Sequence, residues 1–286
     1  MILITGATGH LGAATIEHLL KKITADKIVA FARNAEKAAA LKAKGIKVHI
    51  GTFDDTDSLD RAMQGIEKVL LVSGSDANRL EQHKNVVNAA KKAGVQHIAY
   101  TSLTLKDINT SAVKLFMESH FQTEDYIKES GLTYTFLRNT LYLDGIPLFT
   151  GEHVLETGIF LPCGNGKVGF ALRREMAEAA ANVLLQNTHN NKTYAITGNE
   201  LYSYEDVAAA LSDLSGKTVQ YTNIDATVFT EQLKQLGIPQ ELVHLLAGIA
   251  AYIKNTQLEV ASNDLEQLIG RTPATLKDGL KEQFNL

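Results

Sequence analysis

Met1-Ile-Leu-Ile-Thr-Gly-Ala-Thr-Gly-His-Leu-Gly12 opens the chain, and its reading decides the fold. Ile2, Leu3 and Ile4 make an apolar run of strand length. Three glycines follow at Gly6, Gly9 and Gly12, and a helical spacing of Leu11, Ile16, Leu19 and Leu20 begins at once. Strand, glycine-rich turn and helix in this order is the context in which a dinucleotide's pyrophosphate rests on a helix N-terminus, where unpaired backbone N–H groups favour an anion. Gly6 permits the tight turn, Gly9 lets the backbone approach phosphate oxygens, and Gly12 lets the helix close on the strand. The spacing is G-x-x-G-x-x-G rather than the usual G-x-G-x-x-G. The plainer alternative is a set of glycines that only make a turn.

Outward from this stretch, strand and helix patterns alternate. Lys27–Ala32, Ile46–Ile50, Lys68–Val72, His97–Thr101 and Thr133–Leu137 read as strands. Between them lie helical patterns at Glu36–Ala43, 57–64, Arg79 to Gly94 and Val113–Ser130, several closed by a glycine. Such alternation predicts an α/β fold, a doubly wound parallel sheet of the Rossmann type, with its ligand crevice at the carboxyl ends of the strands. Past Leu141 the rhythm breaks. A helix (Arg174–Gln186) and a strand (Lys192–Thr197) follow, and then helices at Tyr204–Leu214, Thr227–Leu236, Pro239–Lys254 and Asp264–Ile269. The expected division is a Rossmann domain from residues 1–142 plus 168–198. An interleaved, smaller and mostly helical C-terminal substrate region takes residues 143–167 plus 199–286.

Composition narrows the function classes. With 286 residues, 45% hydrophobic and a formal net charge of −4, the chain is long enough for a substantial core and too acidic to favour nucleic acid or an anionic membrane. Its single cysteine, Cys163, rules out an internal disulfide framework and suits a reducing cytoplasm. The longest apolar stretch, Leu242–Ile253, is interrupted by His244 and is too short to span a bilayer. No metal-ligating set stands out, and the sequence leaves a homodimer open.

Each strand end supplies candidate residues for the crevice. Strand two ends in Phe31-Ala32-Arg33-Asn34 with no carboxylate before Glu36. A ribose 2′-hydroxyl calls for Asp or Glu there, whereas Arg suits a 2′-phosphate, so Arg33 points to NADP(H) unless it is simply a solvated side chain. After strand three, Phe53 can lean on an adenine and Asp54 accept from its amino group, or the aspartates can cap the next helix. Ser73, Gly74 and Ser75 after strand four are small enough for a cofactor to pass close by.

The helix after strand five bears on the chemistry. Short-chain dehydrogenases usually carry Tyr-x-x-x-Lys there, with Tyr as proton donor, yet no Tyr-x-x-x-Lys occurs in this chain. With Glu124 as the carboxylate that trails the Lys, the Lys register falls on His120 and the Tyr register on Phe116. His120 and Glu124, one turn apart, are expected either to share a hydrogen bond or to form an ordinary surface pair. Tyr100, Tyr142, Phe149 and the 242–253 helix are candidates to line a planar acceptor's pocket, or else to be core.

Thr5-Gly-Ala-Thr-Gly-His-Leu-Gly12, Arg33-Asn34, His97-Ile-Ala-Tyr-Thr101, Tyr134-Thr-Phe-Leu-Arg-Asn139 and Asp264-Leu-Glu-Gln-Leu-Ile-Gly270 together resemble the NmrA-like atypical short-chain dehydrogenases, in particular their quinone- and dye-reducing members. The resemblance covers essentially the whole chain. It implies NADP(H) held by Gly6, Ala7, Thr8, Gly9, His10 and Leu11, by Arg33, by the strand-four end, and by Leu137, Arg138, Asn139, Thr140, Leu141 and Tyr142, with Asn139 toward the nicotinamide. His10 stands where Gln is more usual, and the loop Leu105–Val113 departs from the family pattern. The implied activity is hydride transfer from NADPH to a quinone or similar planar electrophile, which needs little acid help because the product anion is delocalised. His120 is the candidate if a side chain does assist. The alternative within the same family is a non-catalytic NADP-sensing regulator.

Overall fold

The apolar runs of the first half become strands, and all but the edge run at 47–50 are largely buried, because a parallel strand covered on both faces has no solvent side to keep polar. The structure is a computed structural model that describes residues 1–107 and 114–286, the side chains of residues 114–116 excepted. Val113, most of the Leu105–Val113 loop and the Phe116 side chain therefore lie outside the described residues. In chain order come β1 (Ile2–Ile4), α1 (His10–Leu20), β2 (Ile28–Ala32), α2 (Ala39–Ala43), β3 (Lys47–Ile50), α3 (Thr56–Ala62), β4 (Lys68–Leu71), α4 (Arg79–Lys92), β5 (His97–Leu103), α5 (Lys114–Ser130) and β6 (Thr133–Asn139). Next are α6 (Ile146–Thr150), α7 (Val154–Thr157), β7 (Ile159–Leu161), α8 (Arg173–Leu185) and β8 (Lys192–Ile196). The chain ends with α9 (Tyr204–Ser215), β9 (Tyr221–Asn223), α10 (Ala226–Gln235), α11 (Gln240–Lys254), α12 (Asp264–Ile269) and α13 (Leu276–Phe284).

Seven strands form one parallel sheet in the order β3-β2-β1-β4-β5-β6-β8. Strand order reverses between β1 and β4, which puts the ligand crevice at their carboxyl ends. The period-2 alternation of the strands divides the core. Ile4, Ala30, Leu70, Ala99 and Leu137 face α1, α8 and α12. Leu3, Val29, Leu71, Tyr100 and Phe136 face α3, α4 and α5. The edge strand β3 is short and carries Lys47, a common protection against further strand pairing.

A third cluster, with Leu161, Phe170, Tyr204, Leu211, Leu246 and Leu280, joins the segments after β6. Five of its elements were not anticipated: α6, α7, β7, β9 and α13. β7 and β9 pair in parallel as a separate two-stranded sheet, and α13 follows a capping box in which Thr275 accepts from Asp278 N and Asp278 accepts from Thr275 N. The Thr275-x-x-Asp278 spacing announces that helix in the sequence. β5 and β6 each run two residues beyond their expected ends, so that Ser102 and Asn139 lie within the sheet. α12 packs back on α8 through Leu265, Leu268 and Ile269. No helix among the described residues is long and apolar enough to cross a membrane.

Candidate active site

The glycine loop is pinned from both sides. Thr5 Oγ1 donates to Leu70 O at 3.1 Å and accepts from Val72 N at 2.9 Å, which ties the ends of β1 and β4 together. Gly6 has φ +57°, the left-handed region that glycine adopts freely. A Cβ on Gly12 would stand 2.4 Å from Gly6 O, so the third glycine is there for helix–strand approach. No side chain caps α1 and its first turn holds no acid, which leaves its N-terminal end suited to an anion.

Two cavities open at the carboxyl ends of the strands. The smaller, about 470 Å³, is bounded by Gly6, Thr8 and Gly9 on one side and by Arg33, Lys37 and Phe53 on the other. The larger, about 850 Å³, extends from Leu11 to His120 and from Asn139 to Tyr142. Val72 to Asp76 line both and form their common wall. Ala7 is buried under the loop and His10 is exposed; neither lines a cavity.

Arg33 sits at the rim, mostly exposed, with its guanidinium 3.8 Å from Asp76. Lys37 adds a second cation that sequence reasoning missed, because nothing distinguishes it from the other lysines nearby. Asp54 lines the smaller cavity, but its carboxylate accepts from Asn78 Nδ2 at 3.0 Å and Gln82 Nε2 at 2.9 Å. It braces the start of α4, and the helix cap falls to Asp55, which accepts from Ser58 N. Phe53 stacks on Phe31 with centroids 6.1 Å apart.

The strand-four end is held by residues from neighbouring elements. Ser73 N donates to Thr101 Oγ1 at 2.9 Å, Gly74 N donates to His83 Nε2 at 3.3 Å, and Arg79 donates to Gly74 O and Ser119 Oγ. His83 is buried, and its Nδ1 lies 3.0 Å from Thr123 Oγ1. Because Nε2 accepts from Gly74, Nδ1 carries the proton and donates to Thr123, whose own hydroxyl donates to Ser119 O. Burial first, then Arg79, pushes the His83 pKa down to about 3. The available signal was a histidine within the apolar stripe His83, Val86, Val87, Ala90.

At the other end, the expected His120–Glu124 pairing is overturned. Glu124, 1% exposed, takes a two-pronged bond from Arg138, with Nε to Oε1 at 2.9 Å and Nη2 to Oε2 at 2.6 Å. The alternation of β6 explains this: Leu137 faces the α1–α8 core and Arg138 faces α5. A bidentate charge-assisted pair outweighs the weaker His–Glu contact along one helix. Leu137 and Arg138 therefore reach neither cavity. His120 instead bonds through Nδ1 to Tyr100 at 2.9 Å, and Tyr100 stands behind it, fully buried. Asn139, Thr140, Leu141 and Tyr142 line the larger cavity, and the Arg173 guanidinium lies over the Tyr142 ring at 4.2 Å. Phe149 lines neither cavity and packs toward Tyr204 in the third core cluster. Glu241, Leu242 and Leu245 make α11 a wall of the larger cavity.

A profile of the NmrA-like family matches residues 1–283. The chain belongs to the NmrA-like family. Its relatives include quinone oxidoreductase 2 of Escherichia coli strain K12, 41% identical over 288 residues that cover 100% of this chain and 99% of that protein. The crystal structure of that NADPH-dependent enzyme complexed with NADPH superimposes with a TM-score of 0.93 over 100% of both chains. The triphenylmethane reductase of Citrobacter sp., complexed with NADP(H), is 36% identical, with a TM-score of 0.93 and coverage of 99% of each chain. A mutant NmrA, at 17% identity and TM-score 0.78 over 100% of this chain and 94% of that one, shares the fold. In this NmrA-like chain two residues that border the larger cavity carry buried hydroxyls without a hydrogen-bond partner: Ser102 Oγ on β5 and Thr140 Oγ1 just past β6. A hydroxyl left unpaired in a core is costly, and here the hydroxyl oxygens themselves are shielded from the cavity.

Proposed function

We propose that this chain is an NADPH-dependent reductase that passes hydride to a quinone or a similar planar conjugated electrophile, working in the cytoplasm. One observation carries the reading. Two adjoining cavities, sharing the Val72–Asp76 wall, extend from the Arg33–Lys37 cations past the glycine loop to His120, Asn139 and Tyr142. The residues fit a dinucleotide phosphate: cations at one end, an uncapped α1 N-terminus in the middle, and Asn139 and Tyr142 at the other end. The relatives with NADPH in their crystal structures support the same cofactor.

Gly6, Thr8 and Gly9 would hold the pyrophosphate, Arg33 and Lys37 the 2′-phosphate, and Ser73 to Ser75 with Asn139 and Thr140 the nicotinamide half. Bound NADPH supplies hydride, that is, two electrons and one hydrogen nucleus. The chain's part is to exclude water and stack the acceptor. Leu141, Tyr142, Leu242 and Leu245 provide an apolar wall, and proximity in a dry pocket is worth much of such a barrier. In the division of labour that follows, residues 1–142 and 168–198 bind the cofactor, with Leu141 and Tyr142 also bordering the acceptor, while of residues 143–167 and 199–286 it is α11 that closes the acceptor side.

Steady-state NADPH oxidation with quinones, a triarylmethane dye and simple aldehydes tests the reading. Turnover of quinones without aldehydes is expected. NADPH binding with no turnover of any of these would replace it with a cofactor-sensing role.

A further inference from the structure

From the geometry around Tyr100 we infer that His120 is a neutral hydrogen-bond donor to the oxygen of the reacting quinone, and that Tyr100 is the positioning residue that fixes its tautomer. This rests on the proposed function. Tyr100 points from β5 to the α4–α5 face, and its hydroxyl is 2.9 Å from His120 Nδ1. His120 lines the larger cavity, and with Nδ1 engaged, Nε2 is the nitrogen left to face it.

Protonation follows from the surroundings. Burial raises the Tyr100 pKa, so the phenol, which also meets the Ser73 and Thr123 hydroxyls, keeps its proton; in the inferred arrangement that proton points to His120 Nδ1. An imidazole that accepts at Nδ1 carries its hydrogen on Nε2. Burial, then Arg79 and His83 on α4, lowers the His120 pKa well below the ordinary value, so the ring is uncharged at neutral pH. Of the other charged groups facing this region, Glu124 is bound to Arg138, while Glu118 of α5 and Glu241 of α11 line the same cavity.

The quinone gains two electrons and one hydrogen as hydride from NADPH, which becomes NADP+. The hydroquinone monoanion then takes a proton from water. His120 gives up no proton in this scheme. Its Nε2–H strengthens a hydrogen bond as charge grows on the oxygen, which acts on kcat because the bond is worth most in the transition state.

The test compares wild type with His120→Leu, His120→Gln and Tyr100→Phe in steady-state reduction of a benzoquinone. His120→Leu is expected to lower kcat about tenfold, the worth of one neutral hydrogen bond, with KM and NADPH Kd little changed. His120→Gln presents an amide N–H near the Nε2 position and should recover most of that loss. Tyr100→Phe, which frees the tautomer, should lower kcat several-fold with NADPH affinity kept, and wild-type kcat should be flat from pH 6 to 8. An unchanged kcat in His120→Leu overturns the inference, as does a glutamine variant no better than leucine. A wild-type kcat that falls steadily as pH rises through that range would make His120 an imidazolium acid instead. Absence of quinone turnover in the wild type would defeat the functional reading itself, a separate failure.

Discussion

Arg33 stays largely solvated, with Lys37 lining the same cavity and Asp76 3.8 Å away, so the attraction we propose for a 2′-phosphate is shared and screened. Arg33→Ala is therefore expected to weaken NADPH binding by about 2 kcal/mol, within the range of charge-assisted hydrogen bonds. NADH binding should barely change, and fluorescence titration with both cofactors checks this; equal losses would remove Arg33 from the role. The glycines separate two functions of one loop. A Cβ on Gly9 meets only Gly6 O, at 3.3 Å, whereas on Gly12 it would lie 2.4 Å from that oxygen. Gly9→Val should then fold normally and fail to bind NADPH, because its side chain would occupy the space proposed for the pyrophosphate. Gly12→Ala should instead lose about 1–3 kcal/mol of stability through overpacking. Urea melts paired with NADPH titrations distinguish the two, and a Gly9→Val protein with full affinity would make the loop a mere turn.

At the scale of elements, α11 has the most to lose from a distant change. Its N-terminal half walls the larger cavity through Glu241, Leu242 and Leu245, while Gly166 touches its C-terminal end. A Cβ on Gly166 would fall 1.7 Å from Ile253 O, a backbone atom that cannot turn aside. Gly166→Ala should therefore push α11 outward, raise the KM for a quinone several-fold and leave NADPH affinity close to normal, because the glycine loop lies elsewhere. Parallel losses for both ligands would point to general unfolding and count against α11 as a specific wall.

For the whole molecule, histidines set the acid limit. Burial, aided by Arg79 for the first and Lys68 for the second, pushes the His83 pKa down to about 3 and that of His97 down to about 4. His120 is lowered as well. An unfolded chain binds these protons near pH 6.5, so below that pH the unfolded state holds more protons than the folded one and stability must fall. The contribution is fully present above pH 6.5 and is lost as pH drops toward 4, at about 2 kcal/mol per buried histidine by pH 5. Chemical denaturation at pH 7 and pH 5 measures the loss. A stability unchanged over that interval would mean that the folded state protonates these rings freely.

By itself the sequence determined the strand–loop–helix opening, the parallel alternation through β6, the glycine roles at Gly6 and Gly12, and the cation at Arg33. All are local: strand and helix periodicities, and a turn that only glycine makes easily, are written into neighbouring residues. Tertiary structure alone decided which partner each polar side chain took. His120 and Glu124 are neighbours on one helix, yet β5 offers Tyr100 to the first and β6 offers Arg138 to the second. The pairing of β7 with β9, some sixty residues apart, is likewise invisible to local pattern, as is the placement of α11 against the crevice. A side chain's partner depends on the register of elements distant in the chain, and the stronger, better-oriented bond across the sheet prevails over the weaker contact within the helix.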